Sequence, residues 1–137
     1  MSKVAQDVAE EDFERMCASR RVSTDPEEMD ADDYEGLLAL KKRIVRAIMA
    51  GDLVVMDDGD PVYTPPVSGS KPIHFYKATG ATFMAMDGTG RDPEGNQGRM
   101  VRALTEMTRS AKGEIAKLEV PDYTLCSQLC NLFLAGR

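Results

Sequence analysis

Cys126 and Cys130 lie four residues apart, a spacing that puts two thiols on one helix face and, with further ligands, would suit a zinc ion. The chain offers one histidine, His74, and one other cysteine, Cys17, so the donor set is incomplete. The cysteines read as small buried hydrophobes. His74, beside Phe75 and Tyr76, reads as a surface or half-buried strand residue rather than a general base. The sequence has no Ser/His/Asp order. Its carboxylates fall in solvated runs, not as a pair isolated among apolar residues that would drive their pKa values apart. These residues predict no catalytic group, no metal and no cofactor.

Two other stretches invite a phosphate or cation. Asp87-Gly88-Thr89-Gly90-Arg91-Asp92-Pro93-Glu94-Gly95 is glycine-rich, but no Lys-Ser/Thr follows its last glycine and no strand runs directly into it. The third and fifth positions counted from Asp87 are Thr89 and Arg91, which a calcium loop does not tolerate. The stretch reads as a surface turn. Lys41-Lys42-Arg43 with Arg46 is interrupted by an apolar stripe and balanced by nearby carboxylates, so it reads as a solvated helix face.

The elements that would position these residues follow from periodicity. Val4, Val8, Phe13 and Met16 allow one weak amphipathic helix in an acidic segment over 1–30, expected to fray or to dock only on a partner. Ser23-Thr24-Asp25-Pro26 marks a break and a new helix start. Tyr34, Leu37, Leu38, Ile44, Val45, Ile48 and Met49 recur at three- and four-residue steps, predicting a helix over 31–50 that Gly51 closes. Its acidic residues come first and its basic residues later, as the helix dipole favours.

Apolar and β-branched residues on either side of Asp57-Asp58-Gly59-Asp60 predict a β-hairpin, with Pro61 at a strand start or an edge. Residues 65–71 form a linker, and residues 73–76 supply a third strand. Thr79 is a plausible N-cap for a short helix through Met86. Met100, Val101, Leu104 and Met107 mark another helix, Ser110 caps a short one with Ile115 and Leu118, and Pro121 opens the last. The fold class expected is α+β and mostly helical, a hairpin or three-stranded antiparallel sheet packed with four to five short helices. It divides into a weakly ordered 1–30, then 31–71 and 72–137 as one globular unit.

A chain of 137 residues with 42% apolar content fits one domain with an appendage. Residues 1–70 hold 8 Lys and Arg against 16 Asp and Glu, while 71–137 hold 9 against 7. An acidic front half makes nucleic acid a poor partner, because duplex binding needs cations that displace counterions from phosphate. The odd cysteine count and the lack of a secretory pattern predict a reducing, cytoplasmic setting, and no apolar run approaches the ~20 residues of a membrane span.

The last helix, with Leu125, Leu129, Leu132 and Phe133, is interrupted only by Gln128 and Asn131, so it is either a core helix or a contact surface. The contact reading extends to Met100, Leu104 and Met107 on the preceding long helix. Apolar faces without converging polar groups point to a protein that holds another polypeptide.

Pro72-Ile73-His74-Phe75, then Thr79-Gly80-Ala81 leading to Ala85 and Asp87, the helix from Met100 to Thr108, Glu114-Ile115-Ala116-Lys117-Leu118, and Asp122 opening an apolar helix together form a recognisable order. Over residues 72–134 it resembles the tail assembly chaperones of tailed phages, in particular the Mu-like and P2-like group. The motifs are helix boundaries and apolar positions. The resemblance implies a non-catalytic protein of the host cytoplasm that binds the tape-measure protein, keeps its apolar helices in solution and helps recruit tail-tube subunits. It also allows a homo-oligomer. The alternatives are a structural phage or prophage component at the head–tail connection or tube, and a small nucleic-acid-binding regulator.

Overall fold

In a computed structural model, residues 4–87 and 95–135 are described; most of the glycine-rich turn expected over 87–95 lies outside them. Among the described residues the chain forms α1 (Gln6–Ser19), a 3-10 turn (Pro26–Glu28), α2 (Ala31–Ala50), β1 (Leu53–Val55), β2 (Pro61–Tyr63) and β3 (Ile73–His74). It continues through α3 (Gly80–Asp87), α4 (Gly95–Thr108), α5 (Lys112–Ala116) and α6 (Val120–Leu134). The chain is mostly helical α+β.

Helix α2 has the predicted bounds. The Asp30 carboxylate accepts the Asp33 amide at 2.8 Å, and Gly51 closes the helix at φ 85°, where a side chain would be strained. The break before it takes a shorter form than expected. Asp25 caps the 3-10 turn through the Glu27 amide at 2.9 Å, and α2 starts afresh.

The sheet is antiparallel in the order β1-β2-β3, with Leu53 opposite Tyr63 and Tyr63 opposite Ile73. These three share the buried face, as the alternation of a half-buried sheet requires. Pro61 opens the central strand, and its carbonyl still accepts from the Phe75 amide at 3.0 Å. The hairpin turn needs Gly59 twice over: its φ is 91°, and a Cβ there would overlap the Ser19 side chain.

Helix α1 corrects the expectation of a weakly ordered front segment. Ala9, Phe13, Met16 and Cys17 are buried, packing on α2 and β1, and Arg15 donates to the Val55 carbonyl at 2.9 Å. Phe13 and Met16 bury on the order of 2 kcal/mol each of apolar transfer energy against the chain's own α2 and β1. These residues join Ile44, Ile48, Phe75, Leu104, Met107, Ile115, Leu129 and Phe133 in one core, to which α3 adds only the partly buried Met86 among the described residues. The short α5 starts from Ala111 rather than Ser110, with the Glu114 carboxylate reaching back to the Ala111 amide at 3.0 Å.

Candidate functional site

The positions expected to face a client turn inward. Leu104, Met107, Leu129, Leu132 and Phe133 are buried, and only Met100 and Leu125 keep partial exposure while packing on the core. The contact reading of α6 is therefore corrected. Its apolar side closes the core against α4, and Thr124, Gln128 and Asn131 line its outer side, while the Ser127 hydroxyl between them is buried.

Helix α3 is arranged the opposite way round. Thr82 is 2% exposed, while its neighbours Phe83 and Met84 are 48% and 75% exposed. The buried hydroxyl is used: Thr82 Oγ1 accepts the Thr79 amide at 3.1 Å, one half of a capping box at the predicted N-cap. A helix that turns a threonine in and a phenylalanine and a methionine out is not folded around its own hydrophobic stripe. Beside Phe83 runs a groove of about 320 Å³ lined by Arg20, Arg21, Lys77 and Phe133.

That groove has a stiff base. Helix α1 ends in a Schellman motif, with the Val22 amide on the Cys17 carbonyl at 2.9 Å and the Arg21 amide on Ala18 at 3.2 Å. Arg21 occupies the left-handed position, φ 57°, where glycine is usual. Arg20 turns inward and donates to the carbonyls of Tyr76, at 2.8 Å, and Phe75, to Asp60 at 2.9 Å, and lies 4.4 Å above the Phe133 ring. Burial pulls the Arg20 guanidinium below its ordinary pKa, against the upward pull of Asp60.

His74, the one histidine, is half-buried as expected. Its Nε2 lies 3.0 Å from Asp60 Oδ2, so Asp60 bridges His74 and Arg20. The His74 ring stacks on Tyr76 at 4.1 Å, and Arg109 lies 3.9 Å over the other aromatic ring of that pair. Both carboxylate oxygens of Asp60 are engaged, and the cluster ties the end of α1 to the hairpin turn, β3 and the segment after β3.

Asp122, which opens the last helix, is a buried carboxylate held among polar partners, and its charge reaches Asp52. Asp122 is buried at the start of α6; burial raises its pKa, but hydrogen bonds from Ser68, Tyr63 and the backbone outweigh it and leave the net value low. Burial, and then the charge of Asp122, push Asp52 up. Both Asp122 oxygens carry donors, so the carboxylate anchors the 65–70 loop rather than facing a substrate.

The thiols of Cys126 and Cys130 are pushed up to about 12, chiefly by burial. Among the described residues no group of three His, Cys, Asp or Glu could hold a metal ion, and no helix is long and apolar enough to cross a membrane. Comparison with family models, curated proteins and solved structures finds no match to the chain.

Proposed function

We propose that this protein is a phage tail assembly chaperone: it binds the tape-measure protein during tail assembly, keeps it in solution and acts without catalysis in the host cytoplasm. The observation that carries this reading is the inverted α3, which presents Phe83 and Met84 to solvent while Thr82 lies inside. Aromatic and methionine side chains are the types enriched where protein surfaces meet, and methionine repacks against varied apolar helices. Helix α3 is also the part of the chain where Thr79-Gly80-Ala81 and Asp87 carry the resemblance to that group. The client surface is thus Phe83 and Met84 with the adjoining Arg21 and Lys77, and the α6 strip holds the platform together. Tail-tube subunits are the second partner of this reading.

The test is co-expression with the long helical protein of the same gene cluster. The chaperone reading expects that protein to move from the insoluble to the soluble fraction and to co-purify, and expects the chaperone to be missing from finished particles. Retention in particles would favour a permanent structural role instead.

A further inference from the structure

A second surface lies between α1 and α2. Leu38, Val45 and Met49 follow one another along α2 at seven- and four-residue steps, a stripe of about 16 Å at 1.5 Å per residue. Gln6 and Glu10 of α1 form the facing wall of a groove of about 480 Å³. Leu38 is 43% exposed, Met49 is half-buried, and Val45 between them is 6% exposed, at the floor of the groove. Lys41, Lys42 and Arg46 rim the apolar stripe on the α2 side.

The charges are asymmetric. Lys41 is engaged by Glu14 at 3.5 Å, whereas Lys42 and Arg46 have no ion pair among the described residues. On the opposite wall, Glu10 Oε1 accepts from the Gln6 side-chain Nε2 at 3.1 Å. Lys42 and Arg46 give this rim a local positive potential that attracts carboxylates of a partner, against the wider field of a chain of net charge −6. A stripe at helical spacing, three turns long, fits the apolar face of another helix.

We propose that this groove receives an amphipathic helix of a partner protein, its apolar residues on Leu38, Val45 and Met49 and its Asp or Glu side chains facing Lys42 and Arg46. The polar flank turned to Glu10 is neutral or basic. The assignment does not rest on the chaperone reading, because α3 contributes nothing to the groove.

The test is fluorescence anisotropy of the full-length protein with a labelled peptide of about 18 residues, long enough to form a helix on docking. The peptide carries leucines at three- and four-residue steps, glutamates along one flank and glutamines along the other. A scrambled peptide of the same composition and a peptide with lysine for glutamate serve as controls. The amphipathic acidic peptide binds at least about tenfold more tightly than either control, and added salt weakens it. Leu38→Asp and the double variant Lys42→Glu/Arg46→Glu each weaken it by about tenfold or more with unchanged circular dichroism and melting temperature. Glu10→Gln tightens it. Equal binding of the scrambled peptide, or double-variant binding equal to that of the parent protein, would overturn the proposal. So would a groove already filled by a second copy, seen as a dimer in sedimentation that Leu38→Asp dissociates. Duplex DNA that displaces the peptide and itself fails to bind the double variant would overturn it in favour of nucleic acid.

Discussion

The Tyr63 hydroxyl donates to Asp122 Oδ1 at 2.7 Å, joining the central strand to the first turn of α6 across 59 residues of sequence. The other oxygen, Oδ2, accepts the Ser68 amide and hydroxyl, both at 2.6 Å, and Ser68 Oγ in turn accepts the Glu119 amide at 2.7 Å. One buried carboxylate thereby orders the loop after β2 and seats the helix that closes the core.

Asp122→Asn replaces a charged acceptor by an amide and is expected to lower stability by about 2 to 3 kcal/mol, measured by urea unfolding near neutral pH. The acid branch follows from the direction of the shift. The folded pKa of Asp122 lies below its unfolded value, so its contribution is complete above about pH 4 and is lost as pH falls through the folded value. Asp52 has the opposite sign: its raised pKa makes the fold gain relative stability as that carboxyl protonates. Asp122→Asn therefore flattens the acid loss of stability, and Asp52→Asn steepens it.

Gly59→Ala sets a methyl group against Ser19 at a φ of 91°. The expected cost is about 2 to 3 kcal/mol in chemical denaturation. Adding Ser19→Gly removes the overlap but not the backbone strain, so it recovers only part of the loss.

The three cysteines are buried in the folded chain. Burial, helped by Glu14 for Cys17 and by Asp122 for Cys126, pushes each thiol up to about 12. Iodoacetamide at pH 7.5 is expected to label none of them in the native protein and all of them in denaturant, read by mass spectrometry.

Much of the architecture was legible because its signals are local. Helix α2 has a complete 3.6-residue stripe, an aspartate cap and a terminal glycine; the hairpin has its Asp-Gly turn between alternating apolar residues. What failed depends on contacts distant in sequence. Phe13 and Met16 looked too sparse and too surrounded by acid to hold α1, because the wall they pack on comes from α2 and β1. The apolar side of α6 could have gone either way, and α4 decided it. Thr124, Gln128 and Asn131 recur at four- and three-residue steps, a polar stripe at helical spacing that marks the outside. No local pattern links Arg20 to Asp60 or Asp122 to Tyr63. Phe83 and Met84 fall in a stretch apolar all round, which predicts a helix but carries no directional signal for its outer face.

The core reading of α6 gives a sharp contrast. Leu129 is fully buried, so Leu129→Ala is expected to cost about 2 to 5 kcal/mol, and Leu129→Asp to abolish folding. Any loss of partner binding in Leu129→Ala tracks its melting curve and disappears at a temperature where the variant is fully folded.

The double variant Phe83→Asp/Met84→Asp, co-expressed with the long helical client and scored by the client's soluble fraction, tests the α3 client surface most directly. The variant is expected to keep the parent's circular dichroism and melting temperature while the client stays insoluble, whereas the parent protein brings it into solution. A folded double variant that solubilises the client as well as the parent does would contradict the assignment of α3 as the client surface.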